Sequence, residues 1–232
     1  MRGPASRGNG NLAEQVYLAI KGLILRSEIL PGQKLHLQEL SDRLEVSRTP
    51  VREALSRLVQ EDYASLIPNR GYFVKEISIE EAEELYDVRE AIEVFAVRKA
   101  VERATADDLR RLAERVERYG RDIYGRFTRE RLLYDQAIHL EIARIAGNRT
   151  LERILRQVFE RIILKRKTDG RYDPARGLAA HREHQRLLRL IRAGRADEAV
   201  ACIRDHIREG KANVIADLRQ REEMRRALLE VS

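Results

Sequence analysis

Four titratable residues stand on stripes that are otherwise apolar. Leu132, Asp135, His139 and Ile142 recur at i, i+3, i+7 and i+10, which is one face of a helix. His184 falls in line with Leu187, Leu188 and Ile191, and His206 with Ala199, Ile203 and Gly210. Burying such groups without partners would cost about 1–3 kcal/mol each, so something must satisfy them. One carboxylate and three imidazoles suit a divalent transition metal, with positions left for water or a ligand. A bland alternative stays open at this point. Asp-x-x-x-His arises by chance, a histidine on a core stripe is often simply hydrogen-bonded, and His181 competes with His184 from one turn earlier. There is no His-Glu-x-x-His and no evident general base for hydrolytic chemistry.

Arg89 shares a stripe with Leu85, Ile92 and Ala96. A buried guanidinium needs a partner. That partner is either an internal carboxylate, Asp135 or Glu93, or the carboxylate of a bound effector gripped as a fork. Asn148 reads as a helix cap, with effector contact as its second reading. Cys202 reads as a core filler, and the basic run Arg161 to Lys167 as a solvated face.

A second constellation lies between Leu37 and Gln60. Leu37, Leu40 and Leu44 mark one face of a short helix, and a second helix follows from Ser47. Ser47 or Thr49 can cap it, and Pro50 falls in its first turn, where no N–H is needed. Val51, Leu55, Leu58 and Val59 point inward, while Arg48, Thr49, Arg52 and Ser56 point outward. Guanidinium forks can read guanine O6 and N7, and hydroxyls reach phosphates or base edges. Beyond it, Tyr63–Ile67 and Tyr72–Val74 read as strands around Pro68-Asn69-Arg70-Gly71, a turn whose Asn and Gly tolerate positive φ. That hairpin is a wing, with Arg70 and Gly71 at a tip able to approach phosphate or the minor groove.

The elements that must position these groups follow from periodicity. Residues 1–10 are expected to be a disordered arm and 11–76 a DNA-binding domain. In the latter, a first helix (Asn11 to Ser27) turns Val16, Ile20, Leu23 and Ile24 inward. Lys75 to Ser78 is a short joint. Residues 79–228 then read as helix throughout: from the capping box Ser78-Ile79-Glu80-Glu81 to Arg103, Thr105 to Tyr124, Thr128 to Gly147, Asn148 to Thr168, Gly177 to Ala193 and Asp197 to Leu228. A loop is expected over Asp169 to Arg176. The fold class is mainly α: an N-terminal winged helix-turn-helix of three helices and a hairpin, then an antiparallel six-helix bundle.

Composition sets outer bounds. The 232 residues suit two modest domains. No apolar run approaches the ~20 residues of a membrane span, and the basic first eleven residues lack the apolar core of a secretory signal. A single cysteine offers no disulfide framework and fits a reducing cytosol. The formal charge of +7 is not concentrated in the first domain. Residues 1–76 hold 11 Lys and Arg against 9 Asp and Glu, and the other 156 hold 34 against 29. The argument for DNA rests on where the arginines sit.

Residues 12–76 resemble the winged helix-turn-helix of the GntR family of bacterial transcription regulators. The resemblance is carried by Leu30-Pro31-Gly32-Gln33-Lys34-Leu35, by Val46-Ser47-Arg48-Thr49-Pro50-Val51-Arg52-Glu53-Ala54-Leu55 and by Arg70-Gly71-Tyr72-Phe73-Val74. Gln38 departs from the family, which often has a DNA-contacting Arg there, and Tyr63-Ala64 stands where Gly-Leu is favoured. Residues 80–225 resemble the FCD ligand-binding domain of the FadR branch, and the six helices its VanR-like subgroup. Here the matches are Tyr86-Asp87-Val88-Arg89 with Glu93, Asp135 to His139 on through Gly147-Asn148, Glu183-His184, and Asp205-His206-Ile207. Ile138 replaces a Phe.

The resemblance implies that Asp135, His139, His184 and His206 bind a divalent metal, zinc first, with nickel and manganese as alternatives. It also implies a small carboxylate effector on that metal, contacted by Arg89 and Asn148. The DNA-contacting set is then Gln38, Ser47, Arg48, Thr49, Arg52, Arg70 and Gly71. The expected protein is a homodimeric repressor on a palindromic operator, not an enzyme. The alternatives are a metal-dependent enzyme fused to a DNA-binding module and a regulator that senses the metal itself.

Overall fold

The computed structural model describes residues 9–121, 129–168 and 174–230. Its chain order is α1 (Asn9–Leu25), β1 (Lys34–Leu35), α2 (Leu37–Leu44), α3 (Arg48–Gln60), β2 (Ala64–Ile67) and β3 (Gly71–Val74), then helices only. These are α4 (Ile79–Arg103), α5 (Ala106–Arg121), α6 (Arg129–Ile145), α7 (Arg149–Lys165), α8 (Pro174–Arg192) and α9 (Ala196–Glu230). The chain forms two compact units. One holds the residues up to Glu76 together with Ile163–Lys167; the other holds Ile77–Ile162 and the chain from Thr168 on.

In the first unit the apolar stripe of α1 meets that of α3. Val16, Ile20, Leu23 and Ile24 pack with Leu40, Val51, Leu55 and Leu58, all nearly inaccessible. The turn between α2 and α3 is tight because Glu45 adopts a left-handed conformation, φ 55°, and its N–H returns to carbonyls of α2. Pro50 is buried in the first turn of α3. Ser47 occupies the N-cap position there, but its side chain makes no capping hydrogen bond. The wing turn has Asn69 at φ 61° and Gly71 at φ 95°, the left-handed positions the turn needs.

Three expectations change in this unit. The arm expected over residues 1–10 lies outside the described residues through residue 8, and Asn9 already begins α1. The wing is a three-stranded sheet of order β1-β3-β2: Lys34 and Leu35 pair with Phe73 and Tyr72. Two residues after a Pro-Gly turn carry too little alternation to show as a strand. The run Arg161 to Lys167, expected as a solvated face, contains Leu164, which joins the core of the first unit. Lys165, with a fully inaccessible side chain, donates to Asp62 Oδ2 at 2.6 Å. The lysine stem is aliphatic, so it can be buried once its ammonium is paired.

In the second unit Ser78 Oγ accepts the Glu81 N–H at 3.1 Å and starts α4. Helix α4 packs along α9, α5 lies against α6 and α8, and α8 lies against α9. Ala96, Val97, Leu112, Ile138, Ile142, Leu155, Leu187, Ile191 and Ile203 are the buried stripes of this bundle. Gly147 and Gly194, at φ 73° and 71°, close α6 and α8. Helix α8 starts at Pro174, so Arg176 lies on a helix rather than in the expected loop. The expected start at Thr128, the end at Tyr124 and most of the 169–176 loop fall outside the described residues.

Candidate metal centre and nucleic-acid interface

Three helices bring the four titratable residues to one place. Helix α6 supplies Asp135 and His139, α8 supplies His184 and α9 supplies His206; each offers a donor atom, all within 4.8 Å of one another. His139 Nε2 lies 3.6 Å from Asp135 Oδ2, and His184 Nε2 lies 3.5 Å from Asp135 Oδ1. The imidazole centroids are 4.5–5.5 Å apart. His139 and His184 are each 1% exposed and His206 6%.

The surroundings differ from ring to ring. His139 donates from Nδ1 to Glu93 Oε2 and His206 from Nδ1 to Glu183 Oε2, the latter at 2.7 Å. Both ring nitrogens of His184 are buried and make no hydrogen bond. Burial, with His206 beside it, pushes His184 well below the ordinary imidazole range. Burial also lowers His206, against Glu183. At His139 burial is outweighed by Glu93 and Asp135, which raise its pKa to about 9. Asp135, half-buried, is held well below the usual carboxylate range: desolvation raises it, and the three imidazoles, His139 first, more than offset this.

These residues fit a metal. Four donors bonded at about 2.1 Å to one ion would stand roughly 3.0–4.2 Å from one another; 3.5 and 3.6 Å fall inside that interval, and the outer spread of 4.8 Å asks for a contraction of about half an ångström. Of the two orphaned nitrogens of His184, Nε2, the one beside Asp135, is a buried lone pair that a cation would satisfy.

Arg89, 3% exposed, donates from Nε to Glu93 Oε1 at 2.8 Å. Its Nη2 lies 3.4 Å from His139 Nε2, and its guanidinium covers the rings of Phe159 and Tyr86. Of the two internal partners expected for it, Glu93 is the one bonded. Asn148 is exposed at the start of α7, where its Oδ1 accepts the Leu151 N–H at 3.0 Å. His181 packs against Tyr119 and contacts Gln185, apart from the four donors.

Two groups escaped the sequence reading. Glu183 precedes His184, but adjacent helical residues point about 100° apart, so it serves His206 on α9 instead. Arg176, seven residues before it on α8, forks onto Glu183 at 2.9 and 3.1 Å. The i, i+7 spacing of Arg176 and Glu183 was the available signal once α8 is taken back to Pro174.

On the first unit Ser47, Arg48, Thr49, Arg52 and Arg70 are all exposed. Arg48 donates to Gln38 Oε1 at 2.6 Å, and Gln38 donates to Asp42, which ties α3 to α2 across the outer face. Arg57 belongs elsewhere: it stacks on Tyr17 and pairs with Glu14 and Glu61. Among the described residues, no carboxylate pairs with Arg48, Arg52 or Arg70. Three arginines without acidic partners, on a recognition helix and a wing tip, are a surface for a polyanion.

A winged helix-turn-helix followed by an all-helical bundle is the architecture of a DNA-binding transcription regulator. Residues 12–74 match the bacterial regulatory proteins of the gntR family, and residues 84–209 match the FCD domain. The Nta operon transcriptional regulator of Aminobacter aminovorans is 30% identical over 180 residues, 77% of this chain and 83% of that protein. LutR of Bacillus subtilis is 26% identical over 205 residues, 80% and 93%. The solved structure of Escherichia coli McbR superposes with a TM-score of 0.72 at 25% identity, covering 88% of this chain and 96% of that one. The chain belongs to the GntR family of transcription regulators, in the FadR branch that carries an FCD domain. It is a regulator, not an enzyme, as are the relatives it matches. No described helix is long and apolar enough to cross a membrane.

Proposed function

We propose that this regulator senses a small organic acid through a divalent ion held by Asp135, His139, His184 and His206, and so controls its grip on a palindromic operator as a homodimer. The observation that carries the reading is His184, whose two nitrogens lie buried and unbonded amid three other metal-type donors. When bound, the ion supplies a concentrated positive charge with open positions for a carboxylate. Zinc suits this imidazole-rich set.

Charge supports an acid rather than a neutral ligand. Around the rings, Asp135, Glu93 and Glu183 carry three negative charges, and Arg89 and Arg176 carry two positive ones. That leaves one negative charge, in keeping with the pKa of His139, which Glu93 and Asp135 raise to about 9 against burial. A divalent ion would turn the balance to one positive charge, which one organic carboxylate neutralises. Arg89 is the chain's own second contact for that carboxylate. Its Nη2 already faces the ligand atom of His139, and a guanidinium binds a carboxylate as a fork. Asn148 is left to its cap.

On the DNA side Arg48, Thr49 and Arg52 read the major groove with Ser47 beside them, Gln38 contacts DNA and braces Arg48, and Arg70 with Gly71 contacts phosphate or the minor groove. One recognition helix spans only a few base pairs, so two copies on a two-fold site are needed, and repression is relieved by the acid. Within the bundle, Phe159 on α7 touches both His139 and Arg89, so α7 is the element that would register occupancy of the centre. The regulator works in the cytosol, where its operator is.

Elemental analysis with native mass spectrometry tests the ion: about one zinc per subunit is expected. Calorimetry with a panel of mono- and dicarboxylates, with and without operator, tests the sensor. The coupling must be reciprocal, so operator shifts acid affinity by the factor by which acid shifts operator affinity. Acid binding that leaves operator affinity unchanged sinks the mechanism. Ion alone weakening operator binding would favour a metal sensor.

A further inference from the structure

Resting on that metal reading, we infer that Glu93 and Glu183 are positioning residues that turn the rings of His139 and His206 so that Nε2 of each meets the ion, leaving His184 without any such brace. A neutral imidazole carries one N–H and one lone pair, and whichever nitrogen is tied up as donor decides which one can bind a metal. Nδ1 of His139 is engaged by Glu93 and Nδ1 of His206 by Glu183. That leaves Nε2 as the lone-pair atom in both, and in His139 this is the atom nearest Asp135.

Each carboxylate is itself pinned. Arg89 holds Glu93 from one turn earlier on α4, and Arg176 holds Glu183 from two turns earlier on α8. The result is an Arg-Glu-His chain built twice, from different helices, onto one cluster: α4 to α6 for the first, α8 to α9 for the second. Charge on the guanidinium keeps each carboxylate ionised, and an ionised carboxylate orients the ring and raises the basicity of its far nitrogen. Carboxylates placed in this way behind metal-binding histidines change metal affinity by 10–100-fold when removed.

The test is zinc titration of the full chain against a chromophoric chelator, for wild type, Glu93→Gln, Glu183→Gln and Glu183→Asp. Both Gln variants are expected to bind zinc 10–100-fold more weakly, with Glu183→Asp restoring part of the loss. Glu90→Gln, on the same helix as Glu93 but paired outward with Arg208, controls for bulk charge and is expected to match wild type. Nitrogen-15 NMR of the histidine rings in zinc-loaded wild type should show Nε2 coordination at His139 and His206, with Nδ1 protonated. Wild type that takes up no zinc overturns the metal reading itself. Wild type that binds zinc while both Gln variants bind equally well overturns the positioning role alone. Should the Gln variants not fold, the NMR decides, because Nδ1 coordination at either histidine refutes the assignment.

Discussion

The two faces of this regulator use arginine in opposite ways. On the recognition helix and wing, Arg48, Arg52 and Arg70 are exposed and have no carboxylate partner among the described residues. In the bundle Arg89 is buried and Arg176 half-buried, and each is spent on a glutamate that in turn holds a histidine. The difference follows from what each face must meet. On the proposed DNA face the partner would bring the negative charge, and there the guanidiniums stand in water without a carboxylate of the chain. In the buried centre each guanidinium already has a carboxylate of the chain beside it, because an uncompensated charge in the interior is costly. Single losses on the proposed DNA face should therefore leave the fold's stability nearly unchanged, and single losses in the centre should not.

That asymmetry can be broken by measurement. The largest effect is expected for Glu93→Ala, which strands Arg89 and unseats His139. A stability loss of about 3–5 kcal/mol is expected in chemical denaturation, and a loss under about 1 kcal/mol would mean the Arg89-Glu93 pair is not a structural keystone. Removing the ion by chelation ranks next. Ion held at a hundred times its Kd should stabilise the fold by about 2.7 kcal/mol, visible as a fall in Tm on adding chelator. An unaltered melting curve in zinc-replete and chelated protein would count against the four-donor assignment. His181→Ala should leave zinc content intact, because His181 contacts Tyr119 and Gln185 instead.

On the DNA face, Arg48→Ala or Arg52→Ala should weaken operator binding by about 1–3 kcal/mol where a base is read. Where only phosphate is touched, binding should weaken on all sequences and the salt slope should drop by about one unit. Stability should barely change in either case. A double variant with full operator affinity in an anisotropy titration would refute the interface. The smallest contrast is between two serines. Ser78→Ala removes a capping hydrogen bond and should cost about 1 kcal/mol. Ser47→Ala removes none and should cost little stability, while lowering operator affinity if Ser47 faces DNA. Equal losses from both would show that Ser47 caps α3 in solution.

The chain by itself decided a good deal. Helix stripes, Pro50 in the first turn of α3, the Asn69-Arg70-Gly71 turn of the wing and the cap at Ser78 are local matters of backbone preference and periodicity. Each could be read within about a dozen residues. The four metal-type donors were also legible, since a polar group on an apolar stripe is anomalous wherever the helix packs.

What stayed hidden depends on contacts distant in sequence. A strand of two residues exists only because β3 is there to pair with it. Lys165 reads as a surface residue until Asp62, 103 residues away, is brought against it. Glu183 sits next to one histidine in sequence and serves another 23 residues on, because helical neighbours face apart while α8 and α9 face each other. Periodicity determines which side of a helix is buried; only the packing of helix on helix decides which groups meet there.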